Sequence, residues 1–282
     1  MKIIVTGANG QLGRAVNIEY ASRPDVEVVN TDVAELDITD VDAVMKFVRD
    51  VRPDAIINCA AHTNVDACET QVDLAYGINA IGPRNLSIAA TETGARLMHV
   101  STDYVFDGEG TRPYVEFDPT GPRSVYGASK LEGENFVREF AARHYIVRTA
   151  WLYGDGKNFA RTMMRLAQDR DEITVVNDQF GSPTSATELA KAVVSLLDTE
   201  NYGLFHGTCE GSCSWADFAT EVLRLAGSKT RIIPITSEEY GAPANRPHYS
   251  ILDNYMLRLT GGYAFADWHD AIEPYVKSEL AG

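Results

Sequence analysis

Tyr126 and Lys130 stand four residues apart in Tyr126-Gly127-Ala128-Ser129-Lys130, a spacing that puts both side chains on one face of a helix. A lysine ammonium beside a phenol favours phenolate. It thereby brings the phenol toward the pH at which it can give a proton to a carbonyl oxygen. The same spacing recurs at Tyr153-Gly154-Asp155-Gly156-Lys157, where two glycines predict a loop in which the side chains need not share a face. After Tyr126, by contrast, come Ala128, Lys130, Leu131, Glu132 and Glu134, all good helix formers. Tyr126 and Lys130 are therefore the candidates for acid–base work on a carbonyl. The alternative is a surface tyrosine lying over a lysine stem.

Other polar clusters fall at the ends of predicted strands. In Ser101-Thr102-Asp103-Tyr104-Val105-Phe106-Asp107-Gly108, Thr102 can donate to a carbonyl oxygen and Asp103 can accept from a hydroxyl; open α/β sheets bind ligands at that strand end. Thr6-Gly7-Ala8-Asn9-Gly10-Gln11-Leu12-Gly13 spaces three glycines between a strand and a helix. Glycine permits the tight turn, and free N–H groups at the helix start receive a pyrophosphate. Asp32 ends the next strand, where a carboxylate meets the adenosine ribose hydroxyls and disfavours a 2′-phosphate, so NADH is expected to be usable. In the loop that follows, Asp37 is placed to accept from the adenine amine while Ile38 packs on the ring. Asn58-Cys59-Ala60-Ala61-His62-Thr63 offers small residues against which a cofactor can lie. His62 reads as a cofactor contact or a packed loop histidine rather than a catalyst.

The elements that must position these residues follow from hydrophobic periodicity. Strands are predicted at 2–6, 26–32, 55–58, 96–101 and 145–149, alternating with helices at 11–21, 41–51, 72–91 and 126–143. Such alternation predicts a Rossmann-type doubly wound parallel sheet, an α/β fold, with residues 1–150 as the NAD(P)-binding domain. Beyond it the pattern becomes irregular, with helices near 158–168, 185–197, 214–225 and 268–277, and 151–282 reads as a smaller α/β C-terminal substrate lobe whose contributions can interleave with the first domain.

Composition narrows the function classes. With 45% hydrophobic and 23% charged residues in 282, and no apolar run of the roughly 18 residues that span a bilayer, a membrane protein is not expected. The apolar start is too short for a signal peptide, so the chain is expected in the cytoplasm. Four cysteines are too few for a disulfide framework. Cys209 and Cys213 could form one edge of a metal site, but only His206 lies nearby in sequence, and no metal is expected. The net charge of −15 opposes nucleic acid and anionic membranes, so an anionic small ligand must be held by local donors.

The Gly7-x-x-Gly10-x-x-Gly13 turn together with Tyr126-x-x-x-Lys130 resembles the extended short-chain dehydrogenase/reductase superfamily. Four stretches are similar to the dTDP-4-dehydrorhamnose reductase family in particular: Cys59 to Asp66, Ser101 to Phe106, Val176-Asn177-Asp178-Gln179-Phe180-Gly181-Ser182-Pro183-Thr184, and Arg246-Pro247. The resemblance implies NAD(P)H-dependent reduction of a nucleotide-linked 4-keto-6-deoxy sugar, with Thr102, Tyr126 and Lys130 as the catalytic set. It implies a cofactor surrounded by Gly10, Gln11, Leu12, Asp32, Asp37, Ile38, Ala61, His62 and Thr63. It also implies that Trp151 packs on the sugar and that Arg246 pairs with the nucleotide phosphates. Some family members form a dimer around magnesium held by glutamates, one of them early in the first helix. This chain has Gly13-Arg14-Ala15 there, and Glu188 alone would not hold the ion, so a monomer or a differently built homodimer is expected.

Two rivals stand beside this reading. One is another enzyme of the superfamily, a nucleotide-sugar epimerase or 4,6-dehydratase; Tyr104 stands where a dehydratase would have a glutamate after Asp103. The other is a binding module resembling the regulatory subunit of methionine adenosyltransferase, which has no physical need for a complete Thr102, Tyr126 and Lys130 set.

Overall fold

Neighbouring residues of the first strand face opposite ways, and this alternation builds two cores. In the structure, a computed structural model that describes residues 1–281, strand β1 spans Lys2–Thr6. Ile3 and Val5 pack with Leu12, Val16, Leu189 and Val193, whereas Ile4 packs with Val44, Val48, Leu86 and Val137. The alternation repeats in β3 (Ala55–Asn58), β4 (Arg96–Thr102) and β5 (His144–Thr149), where Ile57, Met98 and Val147 join the first core and Ile56, Leu97 and Ile146 the second. Burying an aliphatic side chain of this kind contributes about 1.5–3 kcal/mol, so a sheet covered on both faces is the stable arrangement.

Strand β2 (Glu27–Thr31) and β6 (Gly203–His206) complete a six-stranded sheet of order β6-β5-β4-β3-β1-β2, parallel throughout. Helix α1 (Gln11–Ala21) covers one face; α2 (Val41–Val51), α3 (Gly82–Thr93) and α4 (Val125–Phe140) cover the other. Because β1 lies between β2 and β3, the chain reverses its progress across the sheet there. That reversal opens a crevice at the carboxyl ends of the strands, where Thr6, Thr31 and Asn58 line up in register.

The sheet draws on both parts of the chain, and one helix departs from the sequence reading. The sixth strand and helix α5 (Ala186–Leu197), which packs on α1, come from beyond residue 150, so the sheet does not end at that boundary. The helix expected over 72–91 is in three pieces: an α-helical turn Val72–Tyr76, a π-helical turn Gly77–Ile81, then α3. Pro83 has no N–H to give the Asn79 carbonyl four residues back, and the ladder shifts register there.

The rest of the chain makes short paired strands, Glu172–Val176 with Arg231–Ile235 and Leu152–Tyr153 with Thr184–Ser185. Around them pack the helices Phe159–Leu166, Trp215–Leu225 and Trp268–Ala281. No described helix is long and apolar enough to cross a membrane.

Candidate active site

Helix α4 starts where Ser124 caps it, the Ser124 hydroxyl accepting from the Gly127 N–H at 3.1 Å. A Cβ at position 127 would lie 2.2 Å from the Tyr104 carbonyl oxygen, so glycine lets the first turn press against the loop leaving β4. Tyr126 is thereby brought to the wall of the cleft that also holds Thr102 and Asp103. Its ring meets Tyr104 edge-on, with centroids 5.3 Å apart.

Each of these groups is shifted by burial. The Thr102 hydroxyl donates to Asp103 Oδ1 at 2.8 Å and accepts from the Tyr104 N–H at 3.2 Å. Asp103 is almost wholly buried, and its Oδ2 faces no partner. Desolvation pushes its carboxyl up to about 6 despite the hydrogen bond from Thr102. Lys130, also buried, donates to the Val100 carbonyl at 2.6 Å. Burial pulls its ammonium down to about 8, with Glu134 and Cys59 opposing. The Tyr126 phenol is pushed up, mainly by burial, with Thr102 opposing. This corrects the expectation that lysine would lower it: the ammonium is anchored to the sheet, and desolvation of a would-be phenolate dominates.

On the other side of Gly10, a pocket is lined by Gly7, Asp32, Asp37, Ile38 and Ala61. Gly7 has φ +63°, and a Cβ there would lie 2.7 Å from the Ala60 N, so only glycine lets the turn touch the loop after β3. The N-cap of α1, Gly10, supplies no side-chain cap, and the first turn carries no acidic residue. Its N–H groups therefore face the crevice unneutralised, the arrangement that suits a dinucleotide pyrophosphate. Asp32 accepts from the N–H groups of Asn9 (3.2 Å) and Val33 (2.9 Å), which fixes its carboxylate at the pocket edge. Asp37 Oδ1 is engaged by the Thr39 N–H and hydroxyl at 2.9 and 2.7 Å. Gln11, Leu12, Gly13 and Thr63 lie on the Tyr126 side of Gly10, so one continuous groove runs from Asp32 to Tyr126.

Residues 1–280 match the family described as RmlD substrate binding domain. A dTDP-4-dehydrorhamnose reductase from Streptomyces griseus is 43% identical over 277 residues, which cover 95% of this chain and 91% of that one. The chain belongs to the dTDP-4-dehydrorhamnose reductase family. A solved dTDP-4-dehydrorhamnose reductase from Clostridium acetobutylicum is 54% identical, with a TM-score of 0.98 over 99% of this chain and 100% of that one. The Bacillus anthracis reductase in complex with NADP is 44% identical, with a TM-score of 0.96 over 98% of this chain and 99% of that one. More distant solved structures, near 20% identity, share the fold alone.

The other residues that the family resemblance singled out are placed unevenly. Trp151 lines the cleft with φ +48°, a left-handed conformation that costs a non-glycine residue roughly 1–3 kcal/mol. It stacks on Trp215, centroids 3.5 Å apart and planes 8° from parallel. Arg246 stands beside Tyr104, whose ring lines the Tyr126 cleft. It pairs with Asp66 at 2.8 Å and lines a neighbouring pocket with Asp178 and Ser237. The His62 side chain lines neither part of the groove; its main chain is pinned instead, the N–H donating to Asn79 Oδ1 at 2.8 Å and the carbonyl accepting from Asn79 Nδ2 at 3.1 Å. Cys209 and Cys213 are free and buried, and among the described residues no group of three or more His, Cys, Asp or Glu is placed to hold a metal ion.

Three residues of this reductase-family site escaped the sequence reading. Asn79, besides holding His62, donates to the Ser129 hydroxyl at 3.1 Å, tying the cofactor loop to α4. Pro83, four residues on, was the available signal. Lys157 belongs to the Tyr-x-x-x-Lys match set aside as a loop; that loop carries its exposed ammonium to the cleft rim. Trp215 has no sequence signal beyond being aromatic.

Proposed function

We propose that the chain reduces the C4 keto group of dTDP-4-dehydro-6-deoxy-L-mannose to give dTDP-L-rhamnose, with NADPH or NADH as reductant, in nucleotide-sugar synthesis for cell-surface polysaccharide. The observation that carries this is a proton-bearing phenol, Tyr126, beside Thr102 and at the end of a groove that passes the bare N-terminus of α1 on its way to Asp32. Bound NAD(P)H supplies the hydride. Tyr126 gives its proton to the oxygen at C4, and the elevated phenol pKa keeps that proton in place until the oxygen becomes an alkoxide. Thr102 turns its hydroxyl from Asp103 to the same oxygen. Asp103, relieved of Thr102, accepts from a sugar hydroxyl. Lys130 holds positive charge behind the phenol, and Trp151 offers a flat apolar wall to the sugar ring.

The diphosphate needs a cation. Lys157 stands on the rim with its ammonium exposed, and Arg246, paired with Asp66 through Nη2, keeps a buried Nε without a partner. Gly7, Gly10, Gln11, Leu12, Gly13, Asp32, Asp37, Ile38, Ala61 and Thr63 would hold the cofactor. In this reading residues 1–150, with α5 and β6, form the cofactor domain and the remainder of 151–282 the sugar-nucleotide lobe. The chain works in the cytoplasm, where such substrates are made, as a monomer or homodimer.

The test is consumption of NADH or NADPH on adding the dTDP-4-keto sugar. Stoichiometric oxidation with dTDP-L-rhamnose as product is expected. An isomerised or dehydrated sugar with no net cofactor oxidation would instead support the epimerase or dehydratase reading.

A further inference from the structure

One helical turn beyond Lys130, Glu134 is fully enclosed, with 0% of its surface exposed. Arg148 on β5 grips it with two bonds, Nε to Oε1 at 2.8 Å and Nη2 to Oε2 at 2.7 Å, and Arg138 on the next turn donates to Oε2 at 2.7 Å. The Arg148 guanidinium also lies 4.9 Å from the centroid of the Phe106 ring, in the loop that carries Thr102 and Asp103. The ion pair thus joins both halves of the catalytic wall, α4 and the exit of β4.

Stability alone is a weak reason for this pair. Taking two charges out of water costs about as much as their attraction returns, and well-packed apolar residues of similar volume often do as well or better. The surroundings of Lys130 suggest another reason. It is faced by Tyr126 and Glu134 from its own helix, by Cys59 after β3 and by His99 on β4, with Arg148 on β5 lying beyond Glu134. Burial pushes the Cys59 thiol up to about 12 and pulls the His99 imidazole well down, so both stay neutral. Glu134, held below the usual carboxylate range by Arg148, is the negative charge in this set.

We propose that Glu134 is a positioning residue of the reductase: it keeps Lys130 an ammonium inside an apolar wall, while Arg148 keeps Glu134 charged and anchors the Phe106 loop. The proposal rests on the reading of Lys130 given above. The residues Tyr126, Lys130 and Glu134 then form a single stripe along α4, each four residues from the next, of proton donor, cation and counter-charge.

Glu134→Gln keeps the shape and removes the charge. Because it strands Arg148, Glu134→Gln/Arg148→Gln is made beside it, removing both buried charges while keeping amides that can bond each other. In Glu134→Gln the pH at which kcat/KM falls on the alkaline side moves about one unit lower, a tenfold change in the lysine ionisation ratio, and in the double variant it moves the same way by less, because a nearby cation is lost with the carboxylate. The Lys130 Cε resonance, assigned by its loss in Lys130→Met, titrates lower in step with the alkaline limb of each variant in the protein without substrate. The melting temperature of the double variant stays near that of the parent. A parental alkaline limb and an unmoved Lys130 titration in the folded double variant overturn the proposal. A parent that oxidises no NAD(P)H with the sugar, alongside a shifted Lys130 titration in the variants, sinks the reductase reading and leaves the coupling standing.

Discussion

Lys130 donates its ammonium proton to the carbonyl of Val100, 2.6 Å away, and not to the Tyr126 phenol one turn earlier on α4. The lysine is thereby tied to strand β4, and the tyrosine keeps a proton that burial makes hard to lose. A reduction consumes a proton at the new alkoxide, so a phenol that holds its proton is the form the chemistry needs.

The pH dependence follows from the two groups whose shifts fall in the working range. Asp103 is raised to about 6, so its accepting carboxylate is lost as pH falls through that value. Lys130 is lowered to about 8, so its ammonium is lost as pH rises through that value. The pH profile of kcat/KM is therefore a bell with limbs near these two values. Asp103→Asn removes the acid limb and leaves the alkaline one. A profile flat from about pH 5 to about pH 10 contradicts both assignments.

Asp32 is expected to set the cofactor preference. The adenosine pocket contains Asp32 and Asp37 and no lysine or arginine, so a 2′-phosphate meets carboxylate without a compensating cation. NADH is expected to give the higher kcat/KM, and Asp32→Ser to raise the value for NADPH by about tenfold, or 1.4 kcal/mol. Steady-state rates with both cofactors check this, and a strong NADPH preference in the parent would refute it.

Lys157 is expected to act on binding alone. Lys157→Met removes the exposed cation from the cleft rim without disturbing buried structure, and KM for the nucleotide sugar rises about tenfold with kcat nearly unchanged. An unchanged KM would return the phosphates to Arg246, whose Nε has no partner.

How much of this was legible varied with the distance over which each signal acts. Strands 2–6 and 55–58 were readable because β-branched residues fill short runs between turns, and helix 41–51 because its apolar residues recur at helical spacing. The π-helical turn at Gly77–Ile81 was not, since one inserted residue only shifts the phase of a helical pattern. Strand β6, Gly203-Leu204-Phe205-His206, opens on glycine and holds no β-branched residue, so it lacks the mark that 55–58 carries. Within the site, Tyr126 and Lys130 are local in sequence and could be paired by spacing. The Arg246–Asp66 pair joins positions 180 apart, and the stack of Trp151 on Trp215 depends on how two loops fold, so neither leaves a mark in the sequence. Lys157 was discounted for want of a shared helical face, although a loop carries a cation to a cleft just as well.

Tyr126→Phe tests the central claim most directly, because it removes one oxygen from a packed ring and leaves the groove at α1 untouched. The account predicts that NADH binding, followed by cofactor fluorescence, stays within about twofold of the parent while kcat for the dTDP-4-keto sugar falls by about 10²-fold or more. Full turnover in Tyr126→Phe would show that the proton comes from elsewhere and would contradict the assignment of this site.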